Sequence, residues 1–453
     1  MKPSKSLLLM FQFATISLLL NGQNKSIKLT VLDPGHFHAA LVQKTMYADV
    51  SPEVEVYAPA GPEYQAYKDK IVTYNSRKED PTSWKLQEHL SDDFLNEFIQ
   101  NSKGNVVVLA GNNKKKTTYI YEAVKLGKHV FADKPMAITP QDYTLLIKAF
   151  EVAKSKGVMI YDIMTERFEI TTMLQKHLSG DVELFGNLKK GSKDSPAIEK
   201  ESVHYFSKQV SGSQLVRPQW FFDVSQEGEG IVDVTTHLID LAMWECFPGQ
   251  AIKKNQVGTI IGKQWATKLT FDQFSKVTQA KKYPAYLEKN VGYDGNLSVN
   301  CNGQITFDID GVWSKVGVTW GYEALPGTGD THFSIMRGSK ANLVIRQGQE
   351  EKFIPQLYIE QVGKSADFEQ KVKLAIASAA KTYPGIEVKM LPNGSAMILI
   401  PESYRNGHEA HFGQVTNNFI KYLEAGKLPD WEIENMLTKY YITTQASVNS
   451  KSR

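Results

Sequence analysis

Asp233, His237 and Asp240 stand at i, i+4 and i+7 in the stretch VDVTTHLID, a spacing that puts an imidazole and two carboxylates on one face of a helix. An imidazole titrates near neutral pH and can take the proton of a hydroxyl as hydride leaves the attached carbon. A carboxylate one turn away, Asp233, can fix its tautomer and stabilise the imidazolium. Lys134, in ADKPMA, follows a strand-like run, at the end of which open α/β sheets bind ligands. Its ammonium can hydrogen-bond the same oxygen and stabilise the charge that develops there. Each residue also has a plainer explanation. An Asp–His pair on a helix is commonly a structural hydrogen bond, D-x-x-x-H-x-x-D can ligate a metal, and a Lys before Pro is commonly a solvated turn residue.

A second group lies near the start of the chain. KLTVLDPGHFHAALVQ reads as a strand, a tight turn and a helix, where a dinucleotide-binding protein carries G-x-G-x-x-G. Here Asp33, Gly35 and His38 occupy the three glycine positions. Gly35 keeps the place where backbone must approach a diphosphate closely, and Ala39 and Ala40 keep the helix small. No acidic residue ends the second strand to hold a ribose hydroxyl; VYAPAG brings Tyr57 and Ala58. His36-x-His38 after a strand is also how metal-dependent hydrolases open their sites. That alternative needs further ligands at later strand ends, and YAPAG and LAGNN supply none, so no metal is expected.

The elements that must position these residues follow from periodicity. IKLTVL, EVEVYA, NVVVLA, KHVFA and GVMIYD are continuous apolar strands, as in a parallel sheet covered on both faces. Helical patterns such as YIYEAVKLG and DYTLLIKAFEVAKSKG alternate with them. The fold class is therefore α/β, with an N-terminal doubly wound parallel sheet over residues 24–165. Residues 61–91 read as a polar, irregular insertion. Beyond TERFEI the texture changes to strands with turn signals, including GQITFDID, VWSKVGVTW and ANLVIRQ. Residues 166–453 accordingly read as an α/β domain with a large open mixed or antiparallel sheet, closed by the amphipathic HFGQVTNNFIKYLEAG and a last helix.

Composition narrows the classes further. The 453 residues carry a net charge of +3 and are 42% hydrophobic, which gives no global case for nucleic acid or an anionic membrane surface. Two cysteines, Cys246 and Cys301, allow one bridge at most and no cysteine-rich metal cluster. Lys2 and Lys5 precede an apolar run from Leu7 to Leu20, the layout of a secretory signal peptide over residues 1–23 with cleavage near Gly22 to Asn24. Export, as to a bacterial periplasm, and a mature form without a membrane anchor are the corresponding expectations.

Two distant motifs together resemble the Gfo/Idh/MocA oxidoreductase family. EAVKLGKHVFADKPMAITPQDY is similar to its G-K-H-V-x-x-E-K-P segment, with Gly127, Lys128, His129, Val130, Lys134 and Pro135 matching and Asp133 in place of Glu. RPQWFFDVSQEGEGIVDVTTHLIDLAMWE resembles the Arg-Pro-x-Trp lead-in and the G-G-x-x-x-D-x-x-x-H-x-x-D run that follows, on Gly228, Gly230, Asp233, His237 and Asp240. TERF and IMRGSKANLVI also look like landmarks of the family, and DPGHFHAAL looks like a variant turn of a secreted branch.

The resemblance implies a Rossmann domain followed by a substrate and oligomerisation domain, NAD or NADP as cofactor (NAD preferred), a small carbohydrate substrate and a homo-oligomer. It implies Lys134 and His237 as acid/base pair with Asp233 orienting, and Gly35, His36, Phe37, Asn112, Asp133 and Lys134 on the cofactor. Arg167, Trp220 and Asp240 are implied on the substrate. The activity expected is oxidation or reduction of a sugar or glycoside hydroxyl. Two alternatives stand beside it: an NAD-dependent glycosidase that oxidises its sugar transiently, and a non-catalytic sugar-binding protein. Lys114 to Lys116 read as a solvated charge run, Trp313 and Trp320 as core, and His408 and His411 as residues near the cleft.

Overall fold

The computed structural model describes residues 26–210 and 212–451; the apolar run read as an export signal lies outside them. The first part of the chain runs β1 (Leu29–Leu32), α1 (His38–Val42), β2 (Glu53–Ala58), α2 (Pro62–Ser76), β3 (Lys85–Leu90), α3 (Phe94–Asn101), β4 (Val106–Leu109), α4 (Asn113–Lys125), β5 (His129–Asp133), α5 (Pro140–Lys156) and β6 (Ile160–Ile163). The strands form one sheet in the order β3-β2-β1-β4-β5-β6, parallel throughout. Strand order reverses between β1 and β4, which makes the crevice over their carboxyl ends the ligand position of a doubly wound sheet. β1 and β4 are buried at every residue, as their unbroken apolar runs require.

The segment read as an irregular insertion is ordered instead. Residues 62–76 form α2, which turns Tyr64, Tyr67, Ile71 and Tyr74 inward, and Lys85–Leu90 form the edge strand β3. An edge strand has one neighbour and faces solvent, so KLQEHL carries no apolar pattern to betray it.

The chain then passes through a single 3₁₀ turn, Thr165–Phe168, into α6 (Ile170–Ser179), β7 (Ile198–Ser207), the short strands β8 (Gln209–Val210) and β9 (Ser213–Gln214), α7 (Thr235–Cys246), β10 (Val257–Leu269), α8 (Phe271–Thr278) and α9 (Ala285–Glu288). It continues through β11 (Leu297–Ile309), β12 (Val312–Glu323), β13 (Thr331–Arg337), β14 (Ala341–Arg346), β15 (Gln356–Gln361), α10 (Phe368–Ala379), β16 (Glu387–Met390), β17 (Ala396–Leu399), α11 (His408–Ala425) and α12 (Glu432–Lys451). The nine-stranded sheet has the order β10-β11-β12-β7-β13-β14-β15-β17-β16 and is antiparallel except where β7 runs beside β12. Among the described residues no helix is long and apolar enough to cross a membrane, and both cysteines are free thiols.

The last two helices return to the first sheet. Phe412, Val415, Phe419 and Tyr440 belong to the core of the N-terminal sheet, and Phe419 stacks on Phe131 of β5 with ring centres 4.9 Å apart. The amphipathy of α11 therefore reflects packing on the first domain, from the far end of the chain.

Candidate active site

β1 leads into a turn that explains its missing glycines. Asp33 adopts φ 51°, the left-handed conformation that glycine usually supplies, and its carboxylate accepts a hydrogen bond from the Tyr119 hydroxyl at 2.8 Å. Gly35 and Gly111 leave a crease without side chains at the β1/β4 switch. A Cβ on Gly111 would stand 2.1 Å from the Asp33 carbonyl oxygen, and one on Gly35 would meet the Trp220 ring at 3.3 Å. Trp220, expected on substrate, instead lies over this turn. The Gly35 and His36 amides, expected to face a diphosphate, donate to Asp33 O (2.8 Å) and Ala110 O (3.0 Å). That leaves the first amides of α1, those of Phe37 and His38, as the backbone donors of the crease. The end of β2 offers Tyr57 and Ala58 and no carboxylate. The residues thus fit a diphosphate at the crease, without an acidic ribose contact from β2. Gly35→Val is expected to weaken NADH binding at least about tenfold by filling the crease. Fluorescence titration checks it, and wild-type affinity would remove the crease from the cofactor site.

Beside the crease opens a cavity of about 1220 Å³ between the two sheets, lined by seven of the chain's ten histidines. It is large enough for a small ligand and part of a cofactor together. Lys134, at the end of β5, and His237, in the first turn of α7, reach it from the two domains. Lys134 Nζ is hydrogen-bonded to Asp233 Oδ1, and both groups are buried. Burial alone would pull the Lys134 ammonium down in pKa, but Asp233 and Asp133 outweigh it and hold it above the ordinary lysine value. Burial, then the positive charge of Lys134, lowers His237 to about 4. The site therefore pairs a charged ammonium with a neutral imidazole at physiological pH. Asp233, expected to orient His237, is committed to Lys134 instead, and His237 Nδ1 has no hydrogen-bond partner. The reason is local: Asp233 precedes α7 and does not share its face.

Arg167 and Asp240, expected on the substrate, bond each other away from the cavity wall. The contact is bidentate, Nε to Oδ2 at 2.6 Å and Nη2 to Oδ1 at 2.7 Å. Arg167 also reaches Glu432 at 2.7 Å, and Lys439 joins Asp240 and Asp162, both at 2.7 Å. Asp240 points from α7 toward α12 while His237, three residues earlier, points into the cavity. Asn112, expected on the cofactor, caps α4 through its side-chain oxygen and donates to Gln226 at 2.9 Å. Its neighbour Asn113 lines the cavity and donates to Glu227 Oε2 at 3.1 Å.

Several residues in and behind the cavity wall carry no signal in the sequence. Lys116 is buried while Lys114 and Lys115 are exposed, and burial brings it down to about 8. Its place on the inner face of α4 distinguishes it from a solvated run. Glu227 is also buried, and desolvation followed by the Asp233 charge raises its pKa well above the carboxylate range. On the opposite wall Ser202 Oγ is 2.7 Å from His204 Nε2, and His204 Nδ1 is 3.0 Å from Asp330 Oδ2. The chain Ser–His–Asp has the connectivity of a nucleophile relay. However, Ser202 lies on β7, paired to Val318 on one side and His332 on the other, so its backbone cannot supply oxyanion donors. These groups are suited to binding hydroxyls. Trp320 and His411, together with His408, border the same space.

The sequence reading also missed the partner of the two turn histidines. His38 Nδ1 lies 2.9 Å from Asp133 Oδ2, and His36 Nδ1 lies 3.6 Å from the same oxygen. The strand ends next in the chain offer no such group, but β5, one strand beyond β4 in the sheet, does.

Residues 54–162 match the family described as "Oxidoreductase family, NAD-binding Rossmann fold", and residues 174–451 match the "Putative oxidoreductase C terminal domain". Among curated proteins nothing matches. A crystal structure from Parabacteroides merdae ATCC 43184, described as a "putative oxidoreductase", is 48% identical, with 94% of this chain and 98% of that one covered and a TM-score of 0.92. A levoglucosan dehydrogenase in complex with NADH and levoglucosan shares the fold at 12% identity, with 94% and 97% covered and a TM-score of 0.59. So does a biliverdin reductase with biliverdin and NADP+ from Synechocystis sp. PCC 6803, at 11% identity, 94% and 99% covered and a TM-score of 0.57.

Proposed function

Because the chain belongs to the Gfo/Idh/MocA family of oxidoreductases, whose first domain is an NAD-binding Rossmann fold, we propose that it oxidises or reduces a hydroxyl-bearing carbon of a carbohydrate or glycoside. The observation that carries this reading is the pairing of Lys134 and His237, 103 residues apart, as a charged acid and a neutral base on one cavity. NAD or NADP bound at the crease would supply the acceptor or donor of hydride. His237 takes the proton of the reacting hydroxyl when the sugar is oxidised and returns it when the ketone is reduced. Lys134 hydrogen-bonds the same oxygen and stabilises its negative charge in a cavity where such a contact counts for more than in water. Asp233 holds the ammonium in place. Ser202, His204 and Asp330 meet the hydroxyls at the far side of the ring, and Trp320 gives that wall an aromatic edge.

Incubation of the purified protein with NAD+ and a panel of pyranosides tests the reading. NADH accumulating in step with a ketosugar is the expected result. Release of aglycone without NADH would turn the assignment to redox-assisted hydrolysis. Binding of sugar without conversion would make the protein a receptor.

A further inference from the structure

We propose that His36, His38 and Asp133 form a site for a divalent transition-metal ion in the wall of the cavity. The two imidazoles come from one turn and the carboxylate from the end of β5, and their ligand atoms all lie within 4.8 Å of one another. Two nitrogens and one carboxylate oxygen are the donor set of zinc sites and of the facial sites that bind iron and its neighbours.

Two further observations point to a cation. His36 Nδ1 is a buried atom without a hydrogen-bond partner, although Asp133 Oδ2 stands 3.6 Å away, too far for a hydrogen bond. Such an orphan normally costs stability, and a metal ion between the two groups would satisfy both. All three residues line the cavity, which leaves the remaining coordination positions open to oxygen ligands from whatever occupies it. Of the positive charges nearby, Lys134 is countered by the Asp233 carboxylate, which bonds it directly, and Lys116 donates its hydrogen bond to the neutral Asn113 Oδ1. Without the ion, the His38–Asp133 hydrogen bond at 2.9 Å holds the turn against β5.

This site is independent of the redox reading, and its test separates the two. Tag-free full-length protein is stripped with chelator, then titrated with Zn²⁺ by calorimetry and with Co²⁺ by visible spectroscopy. NADH binding is followed in parallel on the stripped protein. One equivalent of Zn²⁺ per chain and a Co²⁺ spectrum with nitrogen ligation are expected. His36→Ala should keep the wild-type circular dichroism, because that side chain holds no hydrogen bond, and should bind Zn²⁺ about a hundredfold more weakly or worse. Asp133→Asn, which can still accept the hydrogen bond of His38, should weaken Zn²⁺ binding to a similar extent. Failure of the wild type to bind Zn²⁺ stoichiometrically, or equal binding by wild type and His36→Ala, overturns the proposal whether or not NADH binds.

Discussion

His237→Ala lowers turnover by about a hundredfold or more while dinucleotide affinity stays near that of the wild type, the loss expected of a positioned acid/base group. The substitution removes no hydrogen bond, since His237 Nδ1 makes none, and it enlarges a space that is already a cavity. Thermal stability therefore stays close to wild type, which separates chemistry from scaffolding. The pH profile sharpens the expectation. His237 ionises near 4, well below a free imidazole, because the folded protein buries it beside Lys134. The wild-type rate should rise with pH through that ionisation, as the imidazole loses its proton, and level off before neutrality. The alanine variant should lack this limb. Lys134 needs a different design, because Lys134→Met alone would leave Asp233 buried among Asp133 and Glu227 without its cation. Lys134→Met combined with Asp233→Asn removes the pair together and should lower turnover to a similar extent. A folded His237→Ala variant with wild-type turnover would take His237 out of the mechanism.

Asp240→Asn is expected to act on stability rather than on sugar. Arg167 and Lys439 are both buried against that carboxylate, and its loss leaves two cations sharing Asp162 and Glu432. Breaking a buried ion network from one side costs roughly 3–5 kcal/mol, which in a chain of this size corresponds to a fall in melting temperature of order ~10 °C. Differential scanning fluorimetry reads it directly. An unchanged melting temperature with a raised KM for substrate would return Asp240 to the substrate site. Burial pushes the Asp240 carboxyl up, but Arg167 and Lys439 overcome it and hold it far below the usual range. Its contribution to stability is accordingly retained above the usual carboxylate pKa and is lost only in strong acid.

How much of this was legible in the sequence depends on how local the cause is. The buried strands of the first domain announce themselves because both faces are covered and every residue is apolar. β3 does not, since its burial is partial and its partner lies on one side only. α2 is marked by three tyrosines and an isoleucine at helical spacing, Tyr64, Tyr67, Ile71 and Tyr74, a signal hidden by the polar residues between them. Lys134 and His237 could be found because each sits in a motif set by the elements on either side of it. Ser202, His204 and Asp330 could not, because the register of β7 against β13 brings them together across 126 residues. The roles of Asp240 and Asp233 were misread for a related reason. A helical repeat states which face a side chain leaves from, but not which cation, folded in from elsewhere, it will meet.

The return of α11 and α12 to the first sheet has a consequence for biosynthesis. Phe412, Phe419 and Tyr440 complete the core that begins with Ile27, and Lys439 bonds Asp162 near the end of β6. A ribosome has therefore translated the whole second sheet before the first can close its core. The leading third of the nascent chain must wait, with β5 and β6 exposed where α11 will lie, through the synthesis of more than 240 intervening residues. Cotranslational folding from the N-terminus, the usual order for successive domains, is denied to this one. Its two sheets mature together, and the expression of residues 26–165 alone should yield aggregate rather than a nucleotide-binding fragment.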